Sequence, residues 1–224
     1  MTSFQQADQI PFLDYSLCSI KHNPMKRIFD LVFSMVVMTL GLPLFFLIAL
    51  TIKCTSRGGV IYAQERVGRG GKAFRCYKFR TMYVDAEKRL EEILSRNSQL
   101  KKEWSLTRKL KRDPRITWIG SFLRKTSLDE LPQFWNVFKG DLSVVGPRPV
   151  LQTELEEFFG ASANKILSIR PGLTGLWQVS GRNNLTYQKR VALDLAYVKS
   201  QSILLDIKLI IKTVPQMIVP KGAY

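Results

Sequence analysis

Two adjacent carboxylates, Asp129 and Glu130, stand in the run Ser127-Leu128-Asp129-Glu130-Leu131-Pro132-Gln133, with Arg124 five residues before the first acid and Arg148 nineteen after it. An aspartate among guanidinium groups suits nucleophilic attack on a phosphorylated substrate. Arginine neutralises phosphate oxygens in bidentate geometry, and one anion approaches another only under such screening. Mg2+ held between carboxylate and phosphate oxygens would supply more of it. Pro132 before an apolar run predicts a helix start, because proline is tolerated only in the first turn. A helix start favours an ionised carboxylate and binds phosphate through free backbone N–H groups. A purely structural reading competes: Ser127 and Glu130 have the spacing of a capping box, and Asp129 can itself act as an N-cap. These residues alone leave both readings open.

Other chemistries are nearly excluded. His22 is the only histidine, so a Ser-His-Asp triad or an imidazole metal cluster would rest on one residue. Cys18, Cys54 and Cys76 are odd in number and form no C-x-x-C pair, which argues against a disulfide framework and a zinc site and predicts reduced thiols facing the cytosol. Lys and Arg number 34 against 18 Asp and Glu, a net charge of +16. Such a chain seeks polyanions: nucleic acid, phosphorylated metabolites or an anionic membrane face. The excess concentrates between Arg66 and Arg112, with 15 basic and 5 acidic residues.

The elements that must position these groups begin with a membrane segment. Residues 1–24 read as a poorly ordered extension. Leu31 to Ile52 is a run of 22 uncharged, largely apolar residues flanked by Lys26, Arg27, Lys53 and Arg57. As a straight helix it would be about 33 Å long, the thickness of a bilayer's hydrocarbon. It lacks the short apolar region and cleavage site of a secretory signal, so residues 25–57 read as a retained membrane helix. Pro43 beside Gly41 can bend it, and the positive flanks fit both ends on one side. A spanning and a re-entrant helix both remain open on these residues. Residues 58–224 then form one catalytic domain. Val60–Glu65 and Lys72–Met82 alternate like two strands joined through Gly68 to Gly71, a hairpin. The Gly71-Lys72 pair lacks P-loop spacing and reads as a turn. Asp85–Leu110 and Ile203–Val214 are amphipathic and suit either core packing or an anionic bilayer surface. Arg170–Gly175 with Gly181-Arg182-Asn183 is a basic, glycine-bearing loop able to approach a nucleotide.

Taken together, Tyr77-Lys78-Phe79-Arg80-Thr81-Met82, Asp113-Pro114-Arg115, Ser127 to Gln133, Gly146-Pro147-Arg148-Pro149 and Arg170-Pro171-Gly172-Leu173-Thr174-Gly175 occur in one order. From Lys26 onward the chain resembles the bacterial sugar transferase family, the small monotopic phosphoglycosyl transferases. The resemblance implies an α+β protein with one N-terminal re-entrant helix, a short hairpin and amphipathic interfacial helices, sited at the bacterial inner membrane with its catalytic domain in the cytoplasm. It implies Asp129 as nucleophile toward a UDP-sugar, with UMP released, a covalent phosphosugar intermediate formed and undecaprenyl phosphate as acceptor. Glu130 matches the second acid, which with Asp129 would hold Mg2+. Lys78, Arg124 and Arg148 match basic positions around the phosphates, and Asp206 matches a further carboxylate. The family often has Ser before the kinking proline. Here Leu42 stands there, leaving Gly41 and Pro43 to make the bend. The pattern, including the terminal Gly222-Ala223-Tyr224, is most similar to members that start exopolysaccharide or O-antigen repeats with galactose-1-phosphate, then glucose-1-phosphate. Anionic lipids are expected partners and nucleic acid is not. A basic membrane scaffold and a tethered nucleic-acid binder are the alternatives, and neither accounts for the acid pair between arginines.

Overall fold

The computed structural model describes residues 19–107, 110, 113–181 and 185–218. Residues 1–18 of the expected N-terminal extension, Arg182 and Asn183 of the basic loop, and Gly222-Ala223-Tyr224 lie outside the described residues.

Helix α1 (Pro24–Thr55) is 32 residues long, begins with Pro24 in its first turn and is capped by Asn23, whose side chain accepts from the Lys26 amide at 3.0 Å. It is long and apolar enough to cross a membrane, and only 11% of its most apolar window is buried. Pro43 lies inside this helix and does not end it. A proline removes one backbone donor, which can bend a helix without dividing it, and α1 continues through Pro43, the position of the expected break.

Strands β1 (Ile61–Val67) and β2 (Ala73–Phe79) form the expected hairpin, antiparallel with Ile61 opposite Phe79 and Val67 opposite Ala73. Gly70 and Gly71 in its turn have φ of 68° and 77°, a region open to glycine and costly for other residues. The expected single helix over Asp85–Leu110 is instead two, α2 (Ala86–Arg96) and α3 (Ser98–Thr107). Asn97 divides them, its side chain accepting from the amides of Gln99 and Leu100 at 3.0 and 3.1 Å as a cap for the second helix.

Helices α4 (Trp118–Thr126) and α5 (Gln133–Lys139) flank the acid pair. Strands β3 (Ser143–Val145) and β4 (Gly172–Thr174) pair in parallel. That pairing requires two motif glycines, because a Cβ on Gly172 would strike the backbone of Gly146. Helices α6 (Gln152–Phe158), α7 (Ala163–Ile166), α8 (Leu176–Val179), α9 (Tyr187–Ser200) and α10 (Ile203–Ile218) complete the described chain. Helices with two small sheets make an α+β protein.

Three apolar clusters hold these elements. Val67, Val150, Leu155 and Phe159 pack with α7 and Val191. Val137, Leu142, Val145, Tyr197 and Leu209 join α5 and β3 to α9 and α10. Ile48 and Ile52 of α1 pack with Phe79, Ile119 and Leu123. On α10, Leu204, Ile207, Ile211 and Val214 recur at helical spacing and remain exposed, the face that the sequence suggested for an interface.

The other end of α1 is bound through charge. The Lys26 ammonium pairs with Asp30 at 2.7 Å and Asp206 at 3.2 Å, all buried. Asp30 also accepts from the Ser143 hydroxyl and the Val144 amide at 3.0 Å. Arg27 donates to the carbonyls of Val137 and Phe138 at 2.6 and 2.8 Å, satisfying the C-terminal end of α5.

Candidate active site

The acid pair lies on a 3-10 turn, Leu128–Glu130, between α4 and α5. Ser127 closes α4 in the left-handed region at φ 57°, the only non-glycine residue with positive φ among those described. Its side chain makes no capping bond, so the capping-box reading is not realised. The expected helix start is present, since Pro132 immediately precedes α5 at Gln133, but Asp129 sits a turn earlier, on the 3-10 turn. The reversal at Ser127 redirects the chain and swings Asp129 inward.

Asp129 is 8% exposed. Burial, and then the charge of Glu130, push its carboxyl up to about 6, against the pull of Lys78 and Arg124. Desolvation thus dominates, opposite to the dipole effect expected at a helix start. The Lys78 ammonium contacts the Glu130 carboxylate at 2.6 Å.

Neighbouring elements fix each cation. Lys78 is aligned on β2 by the buried Asn136 of α5, which accepts from the Tyr77 amide at 3.0 Å and donates to the Arg75 carbonyl at 2.7 Å. Arg124 of α4 donates to the Thr81 hydroxyl at 2.8 Å. Helix α4 approaches Thr81 so closely that a Cβ on Gly120 would strike the Thr81 carbonyl. Burial lowers the Arg124 guanidinium, while Asp129 and Asp113 raise it. Arg115 forks onto Asp113, with contacts of 2.8 and 2.7 Å. Arg148, following β3, lies 5.3 Å from the centre of the Trp177 ring.

These groups meet at a groove of about 1080 Å³ lined by Lys78, Arg124, Asp129, Glu130 and Arg148. Its lining also includes apolar residues: Phe33 and Val37 of α1, Phe134, Leu173, and Ile210 and Val214 of α10. Asp206 is not brought there. It is fully buried, accepts from the Tyr197 hydroxyl at 2.7 Å and faces Lys26, the place of an anchor between α1, α9 and α10. Arg170 likewise turns away, donating to the Gly140 carbonyl at 2.7 Å. Sequence reasoning missed Thr81, Trp177 and Gln178, which line the groove. Thr81 lay inside a quoted motif, but an uncharged hydroxyl carried no signal of its own.

An acid pair on one groove with Lys78, Arg80, Arg115, Arg124 and Arg148, in a chain with a helix fit for a bilayer, suits phosphoryl chemistry. Residues 21–220 match the family model described as bacterial sugar transferase. The exopolysaccharide production protein ExoY of Rhizobium meliloti (strain 1021) is 46% identical over 199 residues, 89% of this chain and 88% of that one. The undecaprenyl-phosphate galactose phosphotransferase of Salmonella typhimurium is 47% identical over 201 residues, 89% of this chain but 42% of its own length. The UDP-glucose:undecaprenyl-phosphate glucose-1-phosphate transferase of Klebsiella pneumoniae is 36% identical over 222 residues, 96% of this chain and 44% of that one. The chain belongs to the bacterial sugar transferase family, and it is a phosphoglycosyl transferase.

Proposed function

We propose that this enzyme transfers hexose-1-phosphate from a UDP-sugar to undecaprenyl phosphate, starting an exopolysaccharide or O-antigen repeat unit. Galactose-1-phosphate is the first choice of cargo and glucose-1-phosphate the second. The observation that carries this reading is the groove itself, where the acid pair with Lys78, Arg124 and Arg148 shares the lining with apolar residues, some of them from α1. A charged substrate and a lipid phosphate with an apolar tail both find a matching surface there.

In the first step an ionised Asp129 oxygen attacks the sugar-linked phosphorus. The bond to the bridging oxygen breaks, its electron pair leaves with UMP, and an aspartyl phosphosugar remains. In the second step an oxygen of the lipid phosphate attacks the same phosphorus and frees Asp129. Lys78, Arg124 and Arg148 screen the phosphate charge. No three His, Cys, Asp or Glu groups converge among the described residues. The site therefore fits an ion held by one or two carboxylates together with substrate phosphates, the common mode for Mg2+. Asp129 and Glu130 would hold it, and it would neutralise charge on the diphosphate.

The membrane reading is re-entrant. A straight helix of 32 residues would span about 48 Å. Yet Lys26 and Arg27 at one end and Ile48 and Ile52 at the other contact the same domain. Arg80 ties down the second end, donating to the Arg57 and Ser56 carbonyls at 2.6 and 2.9 Å. Contacts at both ends favour both ends lying on one side, with the catalytic domain at the cytoplasmic face of the inner membrane.

UMP release from a panel of UDP-sugars, with undecaprenyl phosphate present, tests the function. The expected result is release from UDP-galactose first. Release from no UDP-sugar would return the chain to the scaffold reading.

A further inference from the structure

Beside the acid pair, three guanidinium groups from separate elements gather where carboxylates are scarce. Arg66 comes from β1, Arg148 from the segment after β3, and Arg190 from α9. Arg66 and Arg148 line a small recess with Lys78, Glu130 and Gln178, and all but Arg66 of these also line the main groove. The recess is therefore continuous with the reacting centre. We propose that Arg66, Arg148 and Arg190 form a second anion site that receives the phosphate of the departing nucleoside monophosphate, distinct from the sugar phosphate at Asp129. The inference rests on the phosphoglycosyl transferase reading above.

The charge balance supports it. Buried guanidinium groups need counter-charge, and Arg190 is only 7% exposed. Its Nε and Nη2 nonetheless have no partner, and neither oxygen of the buried Asp194, one turn along α9, has one either. Burial pushes Asp194 up to about 7, so at neutral pH it supplies only part of a negative charge. Glu154 is the remaining counter-ion, 3.5 Å from Arg66. It is fixed by the Leu151 amide at 2.9 Å and the Tyr187 hydroxyl at 3.1 Å. Glu130, also on the recess, is paired with Lys78 at 2.6 Å, so the three guanidinium groups have Glu154 and a fraction of Asp194 as their own counter-charge. The excess matches a dianionic phosphomonoester.

Trp177 holds the cluster together. The guanidinium carbons of Arg148 and Arg190 lie 5.3 and 4.7 Å from its ring centre, a cation–π arrangement that holds both groups in place. The charges also divide along the groove. Asp129 feels Lys78 and Arg124, whereas Arg66 and Arg190 each feel Arg148. A diphosphate has one phosphorus for each group. When its bridging bond breaks, the new charge develops on the leaving phosphate, where a waiting guanidinium cluster stabilises it.

The test measures UMP and uridine binding to the full chain in lipid nanodiscs, by calorimetry, for wild type, Arg66→Gln, Arg66→Lys, Arg190→Gln and Glu154→Gln. The wild type is expected to bind UMP more tightly than uridine. Arg66→Gln and Arg190→Gln should weaken UMP by about tenfold or more, leave uridine unchanged, and be partly restored in Arg66→Lys. Glu154→Gln keeps its hydrogen-bonding shape and removes the opposing charge, so it should tighten UMP severalfold, an effect that mere structural damage does not produce. Unchanged UMP affinity in folded arginine variants, equal losses for UMP and uridine, or weaker UMP binding in Glu154→Gln would each overturn the proposal. If the arginine variants fail to fold, the wild-type contrast and Glu154→Gln still decide. Wild type that binds UMP but releases none from any UDP-sugar would sink the functional reading and not this site.

Discussion

Two lysines in this protein each face a pair of carboxylates, and only one set lies on the groove. Lys26 sits between Asp30 and Asp206, with side chains 6%, 1% and 0% exposed. Asp30 Oδ1 accepts from Ser143 and the Val144 amide, Asp206 Oδ1 accepts from Tyr197, and Asp206 Oδ2 faces Lys26. Lys78 sits beside Glu130 and Asp129, and its pair with Glu130 is a quarter to a third exposed. Here Asp129 looks into an open groove. Each place holds one lysine and two acids. Capacity left facing open space separates a reactive cluster from an anchor.

The largest effect that would break this comparison is on turnover. Asp129→Asn should lower UMP formation by roughly 10³-fold or more, because a neutral amide cannot form the acyl phosphate. Its melting temperature should stay level or rise. An acid whose folded pKa lies above its ordinary value is favoured protonated by the fold, so its charge costs stability at neutral pH, and the amide removes that cost. Comparable losses of activity and stability would place Asp129 with the anchors.

Lys26→Met should do the reverse. It leaves Asp30 and Asp206 buried without their cation, which costs roughly 3–5 kcal/mol, read by chemical denaturation, while turnover per folded molecule changes less than tenfold. A smaller effect comes from pH. Burial pushes the Asp129 carboxyl up to about 6, and the proposed attack needs it ionised, so the rate of UMP release should fall as pH drops through about 6, approaching tenfold per unit well below it. A rate flat between pH 5 and 7 would detach the nucleophile from this residue. Smallest is Pro43→Ala, which restores one helix donor but leaves both ends of α1 held. A cysteine at Lys21, in a background lacking Cys18, Cys54 and Cys76, should stay protected from an impermeant thiol reagent in intact cells. Labelling would overturn the re-entrant reading.

The hairpin, the apolar helix and the acid pair were legible in the sequence because each is encoded by near neighbours: alternation, an uncharged run, a motif. Strand ends shifted by only one to three residues. The interruption at Asn97 was less legible, since a cap competes with helix continuation on nearly even terms. The parallel pairing of β3 and β4, the turn at Ser127 and the burial of Asp206 are set by residues far away in the chain. So is the arginine cluster, whose members are 82 and 42 residues apart in sequence. Local pattern also gave the wrong sign for the environment of Asp129, because desolvation depends on what packs above a residue.

The central claim, that Asp129 carries the sugar phosphate, is tested most directly without any lipid acceptor. Enzyme mixed with labelled UDP-sugar should release one equivalent of UMP in a burst and retain label on a peptide containing Asp129. Intersecting initial-rate lines in the two-substrate assay, with no labelled peptide after rapid quenching, would contradict it and assign the attack to the lipid phosphate itself.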